Sequence, residues 1–213
     1  MPYTPDIDIR DFIVLEEVMD KYELGPNGAM ILASDLMVNF LDDLKYEIDE
    51  YNADWVFVDT AGQLELFAFR DTGPLIASSL GFGSIQKAVS FLFDSNLVLR
   101  PNGFISTLLL AASVQFRFRN ISQINVLSKA DLLGEDQIDM IVNWSQDFRA
   151  LEDSTNERES GLIRELSMLI SDVFVQLGST SELIPCSNKE EYGLDLLFGY
   201  LQRIFDSDES KFY

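Results

Sequence analysis

Three short polar segments follow directly on apolar runs of strand type, the position at which an open parallel sheet binds its ligands. The first is Asp59-Thr60-Ala61-Gly62-Gln63, after Trp55-Val56-Phe57-Val58. A carboxylate at a strand end, here Asp59, can hold a magnesium ion through water. Gly62 lets its backbone N–H approach a γ-phosphate without side-chain obstruction, and Gln63 can orient an attacking water. Taken alone, Asp-x-x-Gly is also an ordinary strand-to-helix turn. The apolar run before it and Gln63-Leu64-Glu65 raise its specificity.

The second segment is Ser128-Lys129-Ala130-Asp131. The Asp131 carboxylate can accept from guanine N1–H and N2–H, a two-bond pattern adenine cannot satisfy, while the Lys129 stem packs over the loop or base plane. In isolation the two residues read equally well as a solvated loop pair. Lys129 lies 70 residues beyond Asp59 with one strand and its helices between, a spacing that suits GTP-binding domains. The third segment, Pro185-Cys186-Ser187-Asn188, is weaker, because many strand-to-loop transitions look like it. Small residues there would let the N–H groups of Cys186 and Ser187 reach guanine O6. Cys186, the one cysteine, reads as a buried small apolar residue rather than a reactive thiol, with no histidine and little positive charge nearby.

Positioning these segments requires strands alternating with helices. Apolar runs predict strands over residues 55–58, 88–93, 123–127 and 182–185. Helical spacing of apolar residues predicts helices over 9–22, 29–50, from 64 onward, and over 104–118, 135–151, 160–177 and 193–205. Two glycines and a proline in Leu24-Gly25-Pro26-Asn27-Gly28 predict a defined loop. The polar stretch 151–160 reads as the most flexible loop and 206–210 as a solvated tail. Right-handed crossovers then give a three-layer α/β fold, a mostly parallel sheet covered on both faces. With 213 residues, 47% of them apolar, one domain spanning 1–213 is expected.

Composition removes several functions. Thirty-six acidic against fifteen basic residues give a net charge of −21, which repels nucleic acid and anionic membranes and fits equally a preference for basic protein partners or a salt-rich or acid-tolerant cytoplasm. Zero histidines exclude Ser-His triads and every His-containing metal site, so any hydrolysis proceeds without imidazole. A single cysteine excludes an internal disulfide. No stretch approaches the roughly 18 apolar residues that span a bilayer, and the first residues have no signal-peptide pattern, so a soluble, cytoplasmic protein is expected.

The segments Asp6-Ile7-Asp8-Ile9-Arg10-Asp11, Leu24-Gly25-Pro26-Asn27-Gly28-Ala29, Asp59-Thr60-Ala61-Gly62-Gln63-Leu64-Glu65-Leu66-Phe67 and Leu127-Ser128-Lys129-Ala130-Asp131-Leu132-Leu133 resemble, in order and spacing, the GPN-loop GTPases. The resemblance implies a P-loop NTPase-like fold, GTP or GDP with Mg2+, and a homodimer or a dimer of related chains. It implies that the loop of Gly25, Pro26 and Asn27 reaches the partner's nucleotide, with Asn27 acting in trans on the γ-phosphate or released phosphate. Gln63 and Glu65 would position and activate water, and Asp59 would belong to the magnesium shell. Without the resemblance, Asn27 reads as a left-handed turn residue, which Pro-Asn-Gly readily supplies.

Two positions depart from the family pattern: Ser128 stands where GTPases generally have Asn, and Ala61 where Pro is frequent. The larger departure is that no Gly-x-x-x-x-Gly-Lys-Ser/Thr occurs in these residues, so the phosphate cradle is not among them. A strand, loop and helix carrying that motif is expected ahead of residue 1, and activity is expected to be impaired without it. The alternative expectation is a non-catalytic pseudo-GTPase serving protein assembly.

Overall fold

A computed structural model describes residues 3–80, 86–176 and 182–209. Leu177 and Ser210, the ends of one predicted helix and of the predicted tail, lie outside the described residues. The chain forms two compact units, Met1–Ile85 and Gln86–Tyr213.

The first unit is helical. A single 3-10 turn at Ile9–Asp11 precedes α1 (Leu15–Tyr22). The left-handed Glu23, at φ 52°, ends α1. Helix α2 (Pro26–Leu36) begins inside the predicted loop: Gly25 is its N-cap and Pro26 its first residue. Proline suits that position because its ring presets φ and its missing N–H has no intrahelical acceptor there. Within the predicted loop, residues 26–28 are therefore the start of a helix. Asn27 lies in the first turn and is not left-handed. The predicted helix over 29–50 is broken by a 3-10 turn at Met37–Phe40, followed by α3 (Leu41–Tyr51). Phe12 packs on Phe40 at a ring distance of 5.7 Å, and Val18, Ala29, Leu41 and Leu44 are buried. A 3-10 turn at Leu64–Leu66 and α4 (Thr72–Ser79) complete the unit, in place of one continuous helix from Leu64.

The predicted strand over 55–58 is not formed. Val56, Phe57 and Val58 are exposed, Phe57 at 84%, and no strand pairs with them among the described residues. A strand exists through its ladder partner, which an apolar run cannot supply for itself.

The second unit carries the sheet. Its order is β1 (Ala88–Asp94), α5 (Ser95–Val98), α6 (Pro101–Arg117), β2 (Ser122–Ser128), α7 (Glu135–Gln146), α8 (Phe148–Arg158), α9 (Gly161–Gln176), β3 (Leu183–Pro185) and α10 (Leu194–Glu209). The strands run parallel in the order β1-β2-β3. Phe93 pairs with Leu127, and Asp94 with Ser128, so both strands end at one level. One face of the sheet packs through Phe93, Phe104 of α6 and Trp144 of α7, whose rings meet at 6.0 and 5.8 Å. On the other face Ile124, Val126, Ile184 and Cys186 take Leu197, Tyr200, Leu201 and Ile204 of α10.

Two polar stretches are more ordered than their composition suggests. Residues 151–158, predicted as loop, belong to α8: Phe148, Leu151 and Thr155 fall on one buried face, and the Asp147 carboxylate accepts from Arg149 N at 2.9 Å to start the helix. Three buried residues at helical spacing outweigh the acids between them. The predicted tail from Asp206 is likewise the last turn of α10, which runs to Glu209.

Candidate nucleotide-binding site

The second unit assembles the predicted base-reading residues at the ends of β2 and β3. Ala130 N donates to Cys186 O at 3.0 Å and Cys186 N to Leu127 O at 2.8 Å, so the two loops are laced together. The Ser187 hydroxyl, 2% exposed, donates to Asp131 Oδ1 at 2.7 Å and accepts from Glu190 N at 3.3 Å. Asp131 is thereby oriented, and Oδ2 has no partner among the described residues. A planar carboxylate fixed through one oxygen can accept two parallel N–H groups from a guanine edge.

Ser187 therefore contributes through its side chain. The backbone N–H groups expected to reach guanine O6 are already donated: that of Cys186 to Leu127 and that of Ser187 to Tyr192 O at 2.9 Å. The loop is stiffened by the antiparallel bridge Ser187–Tyr192 and by Gly193, at φ 76°. A Cβ on Gly193 would stand 1.9 Å from Pro185 O, so glycine alone fits. Cys186 is buried, and burial raises its thiol pKa, consistent with a packed rather than a reactive sulfur.

Lys129 is left-handed, at φ 57° and ψ 41°. That conformation costs a residue with a Cβ about 1–2 kcal/mol and persists where the surroundings hold it. Asp94, the last residue of β1, does so: its Oδ2 accepts from Lys129 Nζ at 2.7 Å while its Oδ1 accepts from Asn96 N at 3.0 Å. The ammonium, more than desolvation or the Asn96 N–H, accounts for the lowered pKa of Asp94. Ser128, at the departing position, donates to Phe93 O at 3.2 Å and braces the loop to β1 as a longer amide would.

The first unit holds the remaining candidates, all solvent-accessible. The Asp59 carboxylate accepts from the Tyr3 hydroxyl at 2.5 Å, and this hydrogen bond raises the Tyr3 pKa. Gln63 and Glu65 are exposed, Gln63 as the N-cap of the Leu64–Leu66 turn and Glu65 within it. A Cβ added at Gly62 or at Gly25 would meet nothing within 4 Å, and neither residue has a positive φ, so the local fold does not require glycine at either place. Asn27 is exposed, and the first turn of α2 has neither a side-chain cap nor an acid to compete for its N–H groups. The Arg70 guanidinium grips the Asp35 carboxylate with both Nε, at 2.7 Å, and Nη2, tying α2 to the segment that follows the switch residues. No cluster of three metal-capable side chains forms among the described residues.

Sequence reasoning missed Asp94, Tyr3 and the Asp35–Arg70 pair. Asp94 carried a signal, a carboxylate immediately after an apolar run; the other partners lie 56 and 35 residues apart, where no local pattern reaches.

The family described as "Conserved hypothetical ATP binding protein" matches residues 1–207. The chain belongs to that family, which includes the GPN-loop GTPases. It is 27% identical over 203 residues to GPN-loop GTPase 1 of Dictyostelium discoideum, covering 93% of this chain and 49% of that protein. To GPN-loop GTPase 3 of Kluyveromyces lactis it is 28% identical over 205 residues, covering 95% and 75%. The chain thus spans about half the length of the Dictyostelium relative. An apo-form GTPase from Pyrococcus abyssi superposes with a TM-score of 0.80 over 96% of this chain and 81% of that one, at 23% identity. The family and the three-layer α/β, P-loop NTPase-like fold agree with the expectation from sequence.

Proposed function

We propose that this chain binds GTP and GDP with Mg2+ and serves GTP hydrolysis of the GPN-loop type, as a homodimer or a dimer with a related chain. The observation that carries the reading is the Asp131 carboxylate, oriented by Ser187 beside a Lys129 held by Asp94 at the carboxyl ends of parallel strands. In that setting Asp131 reads the guanine edge and the Lys129 stem covers the base. Gln63 and Glu65, exposed beside Gly62, orient water, and Asn27 at the uncapped start of α2 reaches a phosphate across the dimer. Magnesium, when bound with the nucleotide, would neutralise phosphate charge, and Asp59 is the carboxylate that would join its hydration shell. Adenine is the rival suggested by the family description, and Asp131 disfavours it because adenine offers no paired N–H edge.

Fluorescent GDP, GTP and ADP titrated into the full chain test the reading. Guanine nucleotides should bind preferentially, and Asp131→Asn should lower their affinity about 10- to 100-fold while improving binding of xanthosine diphosphate, whose 2-oxo group accepts from an amide. Equal affinity for ADP and GDP would overturn it. A second reading is a non-catalytic assembly factor, which phosphate release measured beside the titrations separates from the first. It gains if guanine nucleotides bind with the Asp131 dependence but no phosphate is released.

A further inference from the structure

Helix α9 is turned inside out. Its buried face consists of Ser167, Ser171 and Phe174, with Phe174 stacked on Phe148 of α8 at 5.9 Å. The Ser171 hydroxyl is buried without a hydrogen-bond partner. The opposite face carries Leu162, Leu166, Leu169 and Val173, exposed at 78, 56, 64 and 52%. Their spacings of four, three and four residues place them on one straight stripe, the seam along which two helices pack. Scattered exposed leucines are ordinary; an aligned row of them opposite a serine-lined core is a binding face.

The edges of the stripe say what covers it. At 3.6 residues per turn, Glu165 and Asp172 lie along one side, and Ile163 and Ile170 along the other. Neither acid is ion-paired among the described residues, and Arg164, the helix's one cation, lies away from the stripe. A second copy packed antiparallel would set acidic edge against acidic edge. Packed parallel, it would set the acids against isoleucines and leave them unpaired. A cationic edge satisfies the geometry.

We propose that the outer face of α9 docks an amphipathic helix of a partner protein, one with apolar residues at three-four spacing and Lys or Arg along one border. The apolar row supplies the contact area, and Glu165 and Asp172 set orientation and reject acidic helices. This surface shares no residue with the proposed nucleotide site, and its test does not depend on nucleotide binding.

The test uses the full chain and three synthetic 18-residue peptides: a Leu/Lys amphipathic helix, the same peptide with Glu for Lys, and a scrambled Leu/Lys sequence. Affinity is read by fluorescence anisotropy at physiological salt. The amphipathic Lys peptide should bind at least tenfold tighter than the other two. Leu166→Ala with Leu169→Ala should weaken it at least tenfold, and Leu162→Ser with Val173→Ser, at the two ends of the row, should do the same. Glu165→Lys with Asp172→Lys should turn the preference to the Glu peptide. All variants should keep the parent's melting temperature, since these side chains are outside the core. Absence of binding, or equal binding of the scrambled peptide, overturns the proposal. It is also overturned if sedimentation shows a dimer of this chain that dissociates in the Leu166→Ala, Leu169→Ala variant, since a second copy would then be the occupant.

Discussion

Asp94 and Lys129 make the most directly testable pair. The ammonium lowers the Asp94 pKa, so the native state favours the ionised carboxyl more than the unfolded chain does. The pair's contribution to stability is therefore fully present above the ordinary carboxylate range and is lost as pH falls through the lowered folded value. NMR titration should place Asp94 below the ordinary aspartate value, and Lys129→Met should return it upward. Both side chains are substantially exposed, so the effect on global stability is small. Gly193 is the opposite case: its φ of 76° and the Pro185 carbonyl 1.9 Å from a would-be Cβ leave no room. Gly193→Ala should lower stability by about 1–3 kcal/mol in denaturant melts and loosen the Ser187 hold on Asp131. Gly62→Ala should leave the melt unchanged, since nothing lies within 4 Å, and any loss of GTP turnover in that variant would report on phosphate approach.

Among the elements, α8 shows how a few buried residues organise an acidic sequence. Leu151 and Thr155 are both 0% exposed one turn apart, beneath Glu152 and Asp153. Leu151→Ala should cost about 2–5 kcal/mol, read as a lower midpoint in urea, whereas Asp153→Ala should change little. The three parallel strands were legible because each is a largely apolar run ending in a polar loop. The run at 55–58 has the same composition and forms no strand, because pairing needs a neighbour that the run does not encode. Helix α2 was placed correctly in its middle and late at its start. The Gly-Pro pair reads as a breaker in sequence, yet proline is tolerated at a helix's first position.

For the molecule as a whole, charge dominates. With −21 spread over 213 residues, self-repulsion opposes compaction at low ionic strength. The melting temperature should rise between low and moderate salt, measured by circular dichroism, and solubility should fall sharply near the sequence pI of about 4.1. Among the described residues no helix is long and apolar enough to cross a membrane, in keeping with a surface so charged. On the docking proposal above, a basic partner would sit at α9, where Glu165 and Asp172 border an apolar row.

The parallel α/β class and the family could be read along the chain, and Lys129 and Asp131 stood out there as candidates. These depend on apolar periodicity and on motifs whose members are neighbours in sequence. Folding in three dimensions was needed to show that Ser187 holds Asp131 by its side chain, that Asp94 holds Lys129, and that Asp35 and Arg70 join α2 to the switch segment. The same is true of which face of α9 is buried. Hydrogen-bond partners 35 and 56 residues apart are set by how strands and helices come to lie beside one another, and a helix with apolar residues on most sides is oriented by what its neighbours leave uncovered.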